Sequence, residues 1–144
     1  MKIFRSDVKQ SQRLAQITRL QPYSAPWSVE GFSGELTDPA AWVWCCEEDG
    51  KTVGFISLRV AAGWAEILNM AVDPAYCRRG IGKKLLSHAL QEAKNSGAEE
   101  VTLEVNVHNT AAVALYRQAG LEEKGIRKKF YNNTDDALIM GKRL

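Results

Sequence analysis

The 144-residue chain has few of the features that mark a specialised class of protein. Its three cysteines, Cys45, Cys46 and Cys77, are odd in number and two are adjacent, so they do not make a disulfide framework. There is no Cys-x-x-Cys pair, and the two histidines, His88 and His108, stand alone, so no metal site is expected. No apolar run approaches the roughly 20 residues of a membrane span, and Met1–Lys9 lacks the apolar core of a secretory signal. A formal net charge of +2 is too small to imply a nucleic-acid or membrane surface. No repeat or low-complexity segment occurs. These absences leave one expectation: a cytoplasmic protein, a single domain over residues 1–144, monomeric, with no nucleic-acid or membrane partner.

What is present begins with ordinary composition, 45% hydrophobic and 25% charged, enough to bury a core. Lys2–Arg5 reads as a short strand. Ser6 or Asp7 can cap a helix whose apolar stripe is Val8, Leu14, Ile17 and Leu20. Pro22 and Pro26 interrupt it, and Ser28 caps a second helix over Val29–Leu36. Between them lies Tyr23-Ser-Ala-Pro-Trp27, whose aromatic residues either seal the edge of the core or form one wall of a cleft. Ala41–Cys46, Lys51–Ala61 and Trp64–Val72 read as three consecutive antiparallel strands, with Asp49-Gly50 closing the first hairpin and Gly63 marking the next turn. Ile81–Asn95 is a helix with Leu85, Leu86, Ala89, Leu90 and Ala93 facing a sheet. Glu100–Val107 alternates with period two, Asn109 caps a further helix ended by Gly120, and Leu121–Tyr131 and Asp135–Lys142 are the closing strands. The order is an α+β fold, a mixed and mostly antiparallel sheet flanked by about four helices, rather than a doubly wound one.

The stretch with most chemical content is Met70–Lys83. A strand passes Asp73-Pro74 into a loop with Arg78, Arg79, Gly80 and Gly82, and the loop opens a helix. Glycines admit a ligand close to the backbone, and the helix presents unpaired N–H groups and its positive dipole end. Arg78, Arg79, Lys83 and Lys84 add charge, so the junction suits a phosphorylated small molecule. The spacing is not that of a Walker A loop, because Gly80 and Gly82 are one residue apart and no Ser or Thr follows Lys83. Nor is it a dinucleotide fingerprint, which needs a third glycine and a following acidic residue.

Asn69-Met-Ala-Val-Asp-Pro-x-Tyr-x-Arg-Arg-Gly-Ile-Gly-Lys-Lys-Leu-Leu86 resembles the acetyl-CoA pyrophosphate loop of the GNAT acyltransferases, with Cys77 where the usual pattern has Gln or Arg. Leu103-Glu-Val-x-x-x-Asn-x-x-Ala-x-x-Leu-Tyr116 followed by Gly120 resembles the second half of the same site. Within that family, Pro26-Trp27-Ser28, Leu103-Glu104-Val105, Asn109, Ala114-Leu-Tyr116 and Tyr131 with Asp136-Ala-Leu-Ile-Met140 are similar to the bacterial ribosomal-protein alanine N-acetyltransferases. The resemblance implies the GNAT fold, acetyl-CoA as co-substrate, a protein N-terminus as acceptor, and direct attack of the amine on the thioester. It implies that Met70, Ala71 and Val72 pair with the donor through their backbone, that Arg78, Arg79, Gly80, Ile81, Gly82 and Lys83 hold its pyrophosphate, and that Asn109 also touches it.

Glu104, flanked by Leu and Val in mid-strand, is expected to be partly enclosed, which suits a general base; the resemblance gives it the same role. Tyr116 falls one turn after Ala112. A tyrosine there is by default a core residue, and the resemblance makes its hydroxyl the proton donor to the CoA sulfur. Trp27, Glu30 and Tyr131 are weaker candidates for gripping the acceptor. Cys77 has no histidine beside it in sequence, and no covalent role is expected for it. Arg127, Lys128 and Lys129 would line the exit of the cleft, so an acceptor with acidic downstream residues is expected to be preferred.

Overall fold

Period-two alternation in the strands and 3.6-residue periodicity in the helices divide the apolar residues between two faces of one sheet. A computed structural model describes residues 1–23, 26–131 and 134–144, with Tyr131 described by its backbone alone. Among the described residues the strands are β1 (Lys2–Arg5), β2 (Ala41–Glu48), β3 (Lys51–Ala61), β4 (Trp64–Val72), β5 (Glu100–Asn106), β6 (Glu122–Tyr131) and β7 (Asp135–Arg143). They form a single sheet in the order β1-β2-β3-β4-β5-β7-β6. The pairings are antiparallel except that of β4 with β5, which are joined by a helical crossover and run parallel. The two hairpin turns are Asp49-Gly50 (φ 53° and 75°) and Ala62-Gly63 (φ 51° and 81°), whose left-handed backbone matches the twist of the strands they join.

The helices are α1 (Ser11–Arg19), α2 (Val29–Thr37), α3 (Ile81–Asn95) and α4 (Thr110–Gln118). Leu14, Ala15 and Ile17 of α1 and Phe32 of α2 pack on Val43, Cys45, Phe55 and Ala71. On the other face Leu85, Leu86 and Ala89 of α3 and Val113 and Tyr116 of α4 pack on Cys46, Ile56, Leu58, Leu103 and Val105. The α1–α2 pair therefore covers one face and the α3–α4 pair the other. Arg59 of β3 ties α2 down through Glu35 (2.6 Å) and Asp38 (3.0 Å).

Two expectations are corrected. Asp7 does cap a helical segment, but it opens a 3-10 turn over Val8–Gln10, and α1 starts only at Ser11. The tighter turn takes Val8 out of the apolar stripe, and Leu20 lies past the end of α1, so both are exposed. The strand expected to run to Val107 stops at Asn106, whose side-chain oxygen accepts from the His108 N–H at 2.9 Å and turns the chain.

One irregularity matters for function. The β3–β4 register shifts between Ser57 and Leu58, because Ser57 faces Asn69 while Leu58 faces Ile67, which leaves Leu68 as an extra residue in β4. The β4–β5 pairing runs only from Trp64–Glu100 to Ile67–Leu103. Beyond that point the two parallel strands part in the middle of the sheet.

Candidate active site

The gap between the parted strands opens into a cavity of about 370 Å³. It is walled from both faces of the sheet. Leu103 and Val105 point into the α3–α4 core, so the intervening Glu104 faces the α1–α2 side, where Tyr23, Trp27 and Phe130 also reach the cavity. From the opposite side come Asn109, Ala112 and Tyr116. The edge of β4 after Ile67 lies between, with Leu68, Asn69 and Met70 on the wall. A reactant entering from one face can thus meet one bound from the other.

Glu104 is partly enclosed, with 27% of its side chain exposed, and its Oε1 lies 2.8 Å from Nη2 of Arg127 on β6. Tyr116 is buried and shares the wall with Ala112, one turn before it, so it is at once a core residue and a cavity residue. The Asn109 side chain accepts from the Ala112 N–H at 3.3 Å, capping α4, and also borders the cavity. Trp27 combines both readings open to it: it packs on Phe32 with ring centroids 5.1 Å apart and lines the cavity.

The expected donor groups divide. Met70 is on the cavity wall. Ala71 turns into the α1–α2 core, and the Val72 carbonyl accepts from Nε2 of Gln21 at 3.0 Å. The glycine-rich loop lies outside the cavity, between the end of β4 and the start of α3. Asp73 organises it, accepting from the Ala75 N–H at 3.0 Å and from Nη2 of Arg13 at 2.6 Å. Arg78 (φ 64°) and Gly80 (φ 78°) are left-handed, and Gly80 precedes the first residue of α3. The two glycines serve different ends. A Cβ at Gly80 would meet no protein atom within 4 Å, so there the backbone angle requires glycine. A Cβ at Gly82 would come 3.3 Å from Leu115 Cδ2, so there the requirement is close packing of α3 against α4. Arg78, Arg79 and Lys83 are exposed around the loop, and Arg79 lies 3.5 Å from Glu48 and over the Tyr76 ring.

Glu30 is not brought to this cavity. It sits in the exposed first turn of α2, two positions from the buried Phe32, and so points to the other side of the helix. The Tyr131 side chain and Asn132-Asn133 lie outside the described residues. Of the three basic residues expected at the exit of the cleft, Arg127 lies against Glu104 and Lys128 lies 3.5 Å from Asp136. Glu66, which also lines the cavity, was not singled out from sequence. Its strand position places it on the face of Glu104 only once β4 and β5 pair in register, Glu66 against Thr102.

Residues 9–121 match the acetyltransferase (GNAT) family. The chain is 36% identical over 121 residues to the ribosomal protein bS18-alanine N-acetyltransferase of Escherichia coli K12, covering 82% of this chain and 81% of that one. It is 34% identical over 126 residues to the N-alpha-acetyltransferase RimI of Mycobacterium tuberculosis H37Rv, covering 84% and 78%. The crystal structure of the ribosomal-protein-S18-alanine N-acetyltransferase from Escherichia coli superposes with a TM-score of 0.90 at 30% identity, over 99% of this chain and 92% of that one. Arabidopsis thaliana NAA60 in complex with acetyl-CoA shares the fold, with a TM-score of 0.87 at 20% identity over 99% and 98% of the two chains.

Proposed function

The chain belongs to the acetyltransferase (GNAT) family, and from that premise we propose that it acts as one cytoplasmic unit that uses acetyl-CoA to acetylate the α-amine of a protein N-terminus. The acceptor in this reading is the N-terminal alanine of a small-subunit ribosomal protein, the substrate class named for relatives at 36% identity. The observation that carries the reading is the cavity through the split sheet, with Glu104 on one side and Tyr116 on the other.

Acetyl-CoA would lie along the α3–α4 side. The arginines, Lys83 and the backbone N–H groups at the start of α3 would hold its pyrophosphate, and Asn109 would border its pantetheine arm. The edge of β4 that β5 leaves unpaired after Ile67 offers backbone groups to the pantetheine amides in the manner of an added strand. An N–H there can polarise the thioester oxygen. The acceptor would enter past Tyr23, Trp27 and Phe130 as an ammonium ion. Glu104 takes one proton from it, directly or through water, and the amine lone pair attacks the thioester carbonyl carbon. A C–N bond forms, the nitrogen gives up its second proton to water, and the tetrahedral adduct collapses with loss of the C–S bond. The departing thiolate takes a proton from the Tyr116 hydroxyl, leaving N-acetylated peptide and CoA; Tyr116 regains a proton from solvent and Glu104 releases its own, which restores both groups. A peptide α-amine titrates near pH 8, so a carboxylate is a sufficient base at neutral pH.

The test is Glu104→Gln assayed with acetyl-CoA and an alanine-initiated peptide. Turnover is expected to fall by roughly a hundredfold or more, the usual worth of a general base, with acetyl-CoA affinity unchanged. Unchanged turnover removes Glu104 from the mechanism. Locating the acetyl group by fragmentation distinguishes the α-amine from a lysine side chain.

A further inference from the structure

Arg127 was read from sequence as a surface cation near the acceptor, yet its guanidinium is already committed. We propose that Arg127 is a positioning residue for acyl transfer, one that holds the Glu104 carboxylate in its working orientation in the cavity. This rests on the reading of Glu104 as general base.

The geometry arises from pairing across three strands. Glu104 of β5 faces Ile139 of β7, which in turn faces Gly125 of β6. Arg127 is two residues further along β6 and so lies on the same face of the sheet as Gly125 and Glu104. Gly125 has no side chain to block the route, and the long arginine side chain reaches back across β7 until Nη2 is 2.8 Å from Glu104 Oε1. A second contact limits the guanidinium to this arrangement: its Cζ lies 4.9 Å from the centre of the Phe130 ring, another wall of the cavity. Phe130 is aimed there by a break in the β6–β7 register between Arg127 and Tyr131. Lys129 is left-handed in this break (φ 51°), and its N–H donates to Asp136 Oδ1 at 2.9 Å.

The pair does little for folding. With 54% of the Arg127 side chain exposed, an ion pair of this kind contributes little to stability. Nor is the arginine placed to attract the acceptor, because a cation repels an incoming ammonium ion. What it does supply is orientation, since a charge-assisted bond to one carboxylate oxygen sets the direction of the other.

Arg127→Ala, Arg127→Lys, Glu104→Gln and the double variant Glu104→Gln/Arg127→Ala would be compared for kcat, for KM of acetyl-CoA and of an alanine-initiated peptide, and for melting temperature. Arg127→Ala is expected to lower kcat by roughly tenfold with both KM values within about twofold of the parent, and Arg127→Lys to restore most of the loss. In the Glu104→Gln background, removing Arg127 should cost no further turnover, because the arginine acts through the carboxylate. An unchanged kcat in Arg127→Ala, a raised peptide KM with kcat intact, or a loss that adds in full to that of Glu104→Gln overturns the proposal. So does a loss that lysine fails to rescue and that tracks a lowered melting temperature. Full turnover of Glu104→Gln instead overturns the assignment of the base, and so separates the two failures.

Discussion

Cys45 and Cys46 are neighbours in sequence but enter opposite cores, because successive side chains of β2 point to opposite faces. Burial pushes the Cys45 thiol up to about 12, and burial likewise raises that of Cys46. Cys77, in the glycine-rich loop, is exposed. Since the thiolate is the reactive form, the three thiols should differ sharply. In native protein near pH 8, the ordinary range for thiol titration, a disulfide reagent such as dithionitrobenzoate is expected to modify Cys77 rapidly and the other two slowly, with all three reacting in denaturant. Rapid reaction of all three in the native protein would contradict the burial of the β2 pair.

The start of α3 shows how one element can impose unrelated demands on two glycines separated by a single residue. Gly80 must be left-handed so that the chain can turn from the loop into the helix, and the space beside it is open. Gly80→Ala is therefore expected to cost about 1 kcal/mol in backbone strain, without any steric clash. In the proposed reading, the displaced N–H groups should raise KM for acetyl-CoA while kcat at saturation stays near the parent value. Steady-state kinetics and a denaturant melt would check both parts. Gly82→Ala differs in kind, since its methyl group presses on Leu115 and disturbs α4, the helix that carries Tyr116. That variant should lower kcat as well.

At the scale of the whole molecule, three aspartates pin junctions between elements. Asp38 joins the end of α2 to β3; its carboxyl is held below its ordinary value by the Ala40 N–H and by Arg59. Asp73 joins the end of β4 to α1. Burial alone would raise it, but the Ala75 N–H and Arg13 outweigh that and lower it. Asp136 holds the break in β6 and is lowered by the Lys129 N–H and the nearby Lys128. Because these groups hold protons less tightly folded than unfolded, their stabilisation is complete above about pH 4 and is lost as the pH falls through the folded values. Unfolding free energy should accordingly decline on acidification below that point. Asp73→Asn should lower stability by about 2 kcal/mol at neutral pH, since it weakens a largely buried charged hydrogen bond, and should flatten the acid dependence. Urea melts across a pH series measure both.

The order of the strands along the chain, the limits of β1, β3, β4 and α3, the two hairpin turns, the Asn109 cap and the glycine turn that leads from the loop into α3 were all legible in the order of residues. Each depends on groups a few positions apart: alternation, helical period, a cap, a glycine where the backbone turns left-handed. The partial enclosure of Glu104 and the core position of Tyr116 were legible for the same reason, as a carboxylate between two apolar strand residues and an aromatic one turn along a helix. The start of α1 was misread because a cap does not distinguish a 3-10 turn from an α-helix. The parting of β4 from β5, the cavity this opens, the presence of Glu66 on its wall and the grip of Arg127 on Glu104 were not legible. They depend on which strands become neighbours and in what register. Pairing across a sheet joins residues far apart in the chain, so its outcome is settled by packing of the whole core rather than by any local pattern.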